Sequence, residues 1–258
     1  MPIELFDTHS HLPMLEHKSI EQVLADASAN FVTRTICIGA ADGLDSAAKA
    51  VELAEKYPNV WASAGVHPHD AGKVPDLSPL ENMLSHPKVV AVGETGLDFF
   101  RDWSPIEDQR KVFADSIALA KNFHKPLIIH CRDAHEETIA TLKRLKAEEV
   151  GGVFHCYAES HEMAKVLRDM NFRVSLTGII TFKNAHALRS SISQIPLEQI
   201  MLETDCPYMA PEPFRGGPSE PAHVLQIATQ LAEIKGMTIE AIAKQTTATA
   251  LGIFQITP

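Results

Sequence analysis

Along the chain, short apolar and β-branched runs alternate with longer stretches in which apolar residues recur at i, i+3 and i+4. The short runs predict eight strands, at 3–7, 35–39, 61–66, 89–94, 127–130, 153–155, 174–177 and 200–203. Between them lie Ala-, Leu-, Glu- and Lys-rich segments, such as 45–56, 107–122 and 161–170, which read as covering helices. Eight repeats in 258 residues give ~32 residues per unit, the length of a strand–helix–strand module. The expectation is an α/β fold, a single (β/α)8 TIM barrel, with residues 1–258 forming one domain. No low-complexity tract or linker composition interrupts it.

Length agrees, since one such barrel takes ~250 residues. With 45% hydrophobic and 22% charged residues, disordered, collagen-like and coiled-coil chains are excluded. No apolar run reaches the ~18 residues of a membrane span, and the first residues carry acid where a signal peptide carries base, so a cytoplasmic location and no membrane partner are expected. Cys37, Cys131, Cys156 and Cys206 form no C-x-x-C pair, and reduced thiols are expected. The formal charge of −10 repels polyanions unless a local patch or metal reverses it. Against this background, 13 histidines stand out.

Catalytic side chains of a barrel sit at the carboxyl ends of its strands. The first strand runs into Asp7-Thr8-His9-Ser10-His11, where period two sends His9 and His11 to one side. Later strands run into Glu94, His130, His155 and Asp205. A lone histidine closing a strand is more often a hydrogen-bonded structural residue than a ligand. Four of them with two carboxylates at one barrel face exceed what packing preference produces, because each buried polar group needs a partner. The candidate metal ligands are therefore His9, His11, Glu94, His130, His155 and Asp205. Imidazole and carboxylate donors without thiolate suit Zn²⁺, Mn²⁺, Fe²⁺ or Co²⁺, with Mg²⁺ also compatible. Six ligands exceed the need of one catalytic ion, so two divalent cations sharing a carboxylate are expected, with Glu94, central in the strand order, as the bridge.

The motifs Asp7-Thr8-His9-Ser10-His11, Gly65-Val66-His67-Pro68-His69, Gly93-Glu94-Thr95-Gly96-Leu97-Asp98, His130-Cys131-Arg132-Asp133-Ala134, Leu202-Glu203-Thr204-Asp205 and Pro207-Tyr208 together resemble the TatD-type metal-dependent deoxyribonucleases, within the amidohydrolase-like barrels. The resemblance spans nearly the whole chain. It implies that His9 and His11 hold a first ion with Asp205, that His130 and His155 hold a second, and that Glu94 bridges them. It also implies DNA, single-stranded or at ends, as the partner, with no obligate protein partner. The chain departs from the family pattern at Gly217-Pro218-Ser219-Glu220-Pro221, where a basic pair and Asn are usual, at Ala158-Glu159, and in Thr246-Thr247-Ala248-Thr249-Ala250. These departures leave the metal ligands intact and remove cations that contact a phosphate backbone.

The expected chemistry is hydrolysis through a metal-bridged hydroxide, with the ions clamping the attacking and leaving oxygens at phosphorus. Glu94 and Asp205 are the expected catalytic residues, Asp205 orienting the water or taking its proton. His67, His69, Arg132 and Arg215, read as loop residues, are candidate phosphate contacts. Asp98 is expected in a loop after the fourth strand, capping a turn or orienting a ligand histidine. Glu203 shares the inward face with Asp205 and reads equally as a ligand support or a satisfied core carboxylate. His17, His86, His124, His135, His161, His186 and His223 read as mostly surface residues. The favoured activity is a metal-dependent deoxyribonuclease cleaving DNA phosphodiester bonds from ends. The alternative, which the acidic charge favours, is a small-molecule hydrolase acting on a phosphomonoester or amide.

Overall fold

In the computed structural model, which describes residues 3–257 except residues 41 and 75, eight parallel strands lie in the order β1 to β8 and close into a (β/α)8 barrel. The strands are β1 (Leu5–Ser10), β2 (Val32–Cys37), β3 (Val60–Ala64), β4 (Val89–Asp98), β5 (Leu127–Arg132), β6 (Gly152–Phe154), β7 (Phe172–Leu176) and β8 (Ile200–Leu202). The helices are α1 (Ile20–Ala29), α2 (Leu44–Lys56), α3 (Pro79–Leu84), α4 (Ile106–Phe123), α5 (His135–Arg144), α6 (His161–Asp169), α7 (His186–Gln194), α8 (Val224–Lys235) and α9 (Ile239–Ile253). Closure between β1 and β8 rests on the Ser10–Cys206 bridge and on Asp205 N–H donating to His9 O at 2.9 Å and His11 N–H to Cys206 O at 2.9 Å.

Period-two alternation divides the strand residues between two cores. Leu127 and Ile129 of β5, and Ile200 and Leu202 of β8, pack outward under the helices. Ile128, Met201, Phe6, Ile36 and Val153 meet inside the barrel, where Ala250, Phe254 and Ile256 join them from the end of α9 and beyond. The C-terminal segment thus plugs the amino end of the barrel. Thr247 Oγ1 fastens α9 to that end by donating to Glu4 O at 2.9 Å.

Three strands run past their expected ends. β1 continues through Ser10, and its register with β2 shifts between Asp7 and Ser10. β4 continues to Asp98, with a shift against β5 between Gly93 and Thr95. Asp98, expected in a loop, is therefore the last residue of a strand, and Arg132 likewise ends β5. Glycine permits the extension: Gly96 has φ +144°, and a Cβ there would lie 2.0 Å from His130 O of the neighbouring strand. A pattern of side-chain types does not report such a backbone approach. Among the described residues no helix is long and apolar enough to cross a membrane.

Candidate metal centre

A cavity of about 1040 Å³ opens at the carboxyl ends of the strands, and His11, Glu94, His130, His155 and Asp205 lie in its wall. His9 lies beneath, fully buried, its ring stacked on that of His155 with centroids 4.1 Å apart. The register shifts fall at His9 in β1 and at Glu94 in β4; such irregularities re-aim single side chains without breaking the sheet. Asp205 follows β8 in the left-handed region, φ 54°, which Asp tolerates better than most residues. Below His9, the Asp7 carboxylate accepts from Thr204 N–H at 2.9 Å and Thr204 Oγ1 at 2.6 Å, tying β1 to the β8 end. Burial nevertheless pushes its pKa up to about 8.

The donor atoms fall into two groups that meet at Glu94. In the first, His9 Nε2 lies 3.3 Å from His11 Nε2, 3.3 Å from Glu94 Oε2 and 3.6 Å from Asp205 Oδ1. His11 Nε2 is 3.8 Å from Glu94 Oε2 and 3.5 Å from Asp205 Oδ1. Four ligands ~2.1 Å from a common centre in a tetrahedron are about 3.4 Å from one another, so these separations fit a divalent cation. In the second, Glu94 Oε1 lies 2.8 Å from His155 Nε2 and 2.9 Å from His130 Nδ1, which are 3.4 Å apart. His67 Nε2 joins this group, 3.4 Å from Glu94 Oε1 and 3.3 Å from His130 Nδ1. Each carboxylate oxygen of Glu94 therefore faces its own group of imidazoles.

The electrostatics suit cations. Burial opposes ionisation of Glu94, but the neighbouring imidazoles, His155 foremost, outweigh it and hold its pKa well below the usual value. At Asp205 burial acts the same way, and His11 and His9 again lower the pKa. Burial lowers the pKa of His9 and brings His67 down to about 4, which keeps those imidazoles neutral and their lone pairs available, whereas at His130 and His155 the facing carboxylates of Asp98, Glu94 and Glu203 outweigh burial and raise the pKa, so a cation there displaces protons.

Surrounding residues hold the candidate ligands. His130 Nε2 lies 3.1 Å from Asp98 Oδ2, and His69 Nε2 lies 2.7 Å from the same oxygen. Asp98 Oδ1 accepts from Phe100 N–H at 2.9 Å and Arg101 N–H at 3.0 Å, so one buried carboxylate both caps a turn and orients a histidine. Glu203 serves β6: Oε1 accepts from Cys156 N–H at 2.6 Å and lies 3.4 Å from His155 Nδ1, while Oε2 accepts from Ser175 Oγ.

The expected phosphate contacts separate. His67 and His69 sit inside the histidine cluster, deeper than expected of loop residues. Arg132 lies on the cavity wall with its guanidinium 3.8 Å above the Phe100 ring. Arg215 lies over Phe182 at 4.2 Å, outside the lining. His223, expected at the surface, is buried, stacked on Phe214 and joined to Glu220 in a capping box at the approach to α8. All four cysteines are free. The place of His67 in the second donor group escaped the sequence reading because His-Pro-His lies beyond β3, where spacing carries no direction. The pairing of His69 with Asp98 was hidden for the same reason.

The family model of TatD-related DNases matches residues 6–255. The chain is 42% identical to the metal-dependent hydrolase YabD of Bacillus subtilis, over 98% of this chain and 99% of that protein. It is 37% identical to a protein of Edwardsiella piscicida named a 3′-5′ ssDNA/RNA exonuclease TatD, over 83% of this chain and 84% of that one. Among solved structures, the TatD homologue YjjV of Escherichia coli superposes with a TM-score of 0.92 at 29% identity, covering both chains completely. With this barrel, this family match and these relatives, the chain belongs to the TatD-related DNase family of metal-dependent hydrolases.

Proposed function

We propose that the protein is a phosphodiesterase that removes nucleotides from the ends of single-stranded DNA with two divalent cations. The observation that carries this reading is Glu94, whose two oxygens face separate donor groups 2.8–3.8 Å away. His9, His11, Asp205 and Glu94 Oε2 would hold one cation; His130, His155 and Glu94 Oε1 would hold the other. Divalent cations in such a pair supply a nucleophile at neutral pH and neutralise charge on phosphate oxygens. Mg²⁺, Mn²⁺ and Zn²⁺ all match the donor set.

The chain's own residues do the rest. Asp205, kept ionised, accepts a proton from the attacking water and orients it. Arg132 at the wall meets phosphate oxygens from the solvent side. The related exonuclease of Edwardsiella piscicida supports DNA as substrate and ends as the point of attack. The formal charge of −10 favours a second reading, a small phosphomonoester or amide substrate.

The deciding experiment incubates metal-reconstituted protein with single-stranded DNA, 4-nitrophenyl phosphate and a simple amide. Metal-dependent release of mononucleotides, faster than turnover of either small substrate, is the expected result. Faster turnover of the phosphomonoester or amide overturns the reading.

A further inference from the structure

The segment leading from β4 into α4 presents aromatic rings to solvent for which folding supplies no reason. Trp103 and Phe100, 62% and 52% exposed, are the two most exposed large apolar side chains among the described residues. Their backbone is nonetheless pinned. Asp98 caps the turn at Phe100 and Arg101, Gly72 N–H donates to Ser104 Oγ at 2.7 Å, and Gln109 Nε2 donates to Ser104 O at 3.1 Å. A fixed loop carrying open rings is a preorganised surface rather than a frayed one.

Trp103 stands in the wall beside the candidate metal ligands, and Phe100, outside that wall, joins it through Arg132. Trp103 lines the cavity and packs T-shaped with His69, centroids 4.5 Å apart; His69 is in turn bound to Asp98, which holds His130. Arg132 covers one face of Phe100 at 3.8 Å, and the Arg101 guanidinium lies 5.1 Å from Phe100 and 5.2 Å from Trp103. Tyr208, 48% exposed, faces the same cavity from the β8 side.

Charge alone does not recruit a polyanion here. Outside Glu94 and Asp205, the lining carries Lys49, Lys73, Arg101 and Arg132 against an equal number of carboxylates. A charge-balanced mouth on an acidic protein gains little from the phosphate backbone. Exposed aromatic faces flanked by guanidinium groups bind a flat π-system irrespective of sequence, and a base offers its face only when unpaired.

We propose that Trp103 and Phe100, with Arg101 and Arg132, form a stacking subsite for an unpaired base of the strand whose phosphate enters the metal centre. This rests on the phosphodiesterase reading and deepens it: the subsite selects single strands over duplex and supplies affinity that resists salt.

The test uses metal-loaded protein and a hexathymidylate with hydrolysis-resistant phosphorothioate linkages, beside the same oligomer with abasic residues in place of thymidine. Affinity is read as the anisotropy of fluorescein-labelled oligomers; since the chain has two tryptophans, Trp61 and Trp103, a base on Trp103 is seen besides as quenching of intrinsic fluorescence that Trp103→Phe removes. Trp103→Ala and Phe100→Ala should each weaken the thymine oligomer about 5- to 100-fold and leave the abasic oligomer unchanged, with Trp103→Phe close to wild type. An equal loss on both oligomers, an unchanged affinity in Trp103→Ala, or no binding by wild type overturns the subsite. Cleavage of the ordinary phosphodiester hexamer is scored separately. If wild type binds with these signatures and leaves that hexamer intact, the subsite stands and the nuclease reading falls.

Discussion

Replacing Asp98 by Asn should weaken one cation site and spare the other. The Asp98 carboxylate takes four contacts, two backbone N–H groups on Oδ1 and the His69 and His130 Nε2 atoms on Oδ2. Although burial opposes it, His130 and His69 hold Asp98 well below the usual carboxylate range. For His130 to offer Nδ1 toward Glu94 and a cation, its proton must sit on Nε2, where Asp98 accepts it. An asparagine that keeps its oxygen on the backbone N–H groups turns its NH₂ toward two imidazole N–H groups. The ring then gains from moving its proton to Nδ1, into the metal-facing position. Loss of such a supporting carboxylate costs ~10–100-fold in metal affinity, or about 1.4–2.7 kcal/mol at 1.36 kcal/mol per decade. Calorimetric titration of metal-free protein with Mn²⁺ should show one Kd raised by that factor and the other, set by His9, His11 and Asp205, within about threefold of wild type. Equal weakening of both, or of neither, refutes the reasoning.

Glu94→Gln removes the charge shared by the two donor groups, so elemental analysis should find less metal and assays little activity; full retention of both excludes the bridge. Asp205→Asn should lower kcat by about 10²–10³ with KM nearly unchanged, as expected of a group acting in the transition state, and the reverse pattern excludes that role. Gly96→Ala sets a Cβ 2.0 Å from His130 O at φ +144°, and should cost roughly 3–5 kcal/mol, read as a fall of ~10 °C in Tm; a loss below about 1 kcal/mol contradicts the packing argument. Burial pushes the Cys37 thiol up to about 12. Its folded pKa is raised, so the stability it contributes is complete below ~8.5, where the unfolded thiol ionises, and is lost as pH rises toward 12, by about 1.4 kcal/mol per unit. Denaturant midpoints from pH 8 to 10.5 should therefore fall more steeply for wild type than for Cys37→Ala, and parallel curves rule this out.

Alternation served the sequence reading where the backbone stays regular. On β5, Ile128 faces the barrel interior and His130 follows two residues on; Val153 of β6 and His155 just beyond it repeat the relation. The same parity led to Glu203 beyond β8. It failed to reveal how β1 and β4 present His9 and Glu94, because both strands slip register at those residues. The residue types at the strand ends were nevertheless legible, since imidazoles and carboxylates are rarely buried without partners. Asp98 was misplaced because glycines at 93 and 96 resemble a turn in sequence, whereas here they let β4 run on beside β5. His223 looked like a surface residue because its partners, Phe214 and Glu220, belong to an irregular segment with no period to read. The ninth helix carries an apolar period but fits no strand–helix repeat, so the turn of its end under the barrel was not foreseeable.

That plug gives the catalytic well a floor. Ala250, Phe254 and Ile256 seal the amino end of the barrel, which leaves the cavity at the opposite end as the open approach to the candidate ligands. Under the proposed function a single doorway would impose an order: cations would load first, and a strand lying across the mouth would bar their escape. Occupied enzyme should then surrender its metal to a chelator more slowly than empty enzyme, and excess substrate should delay metal exchange.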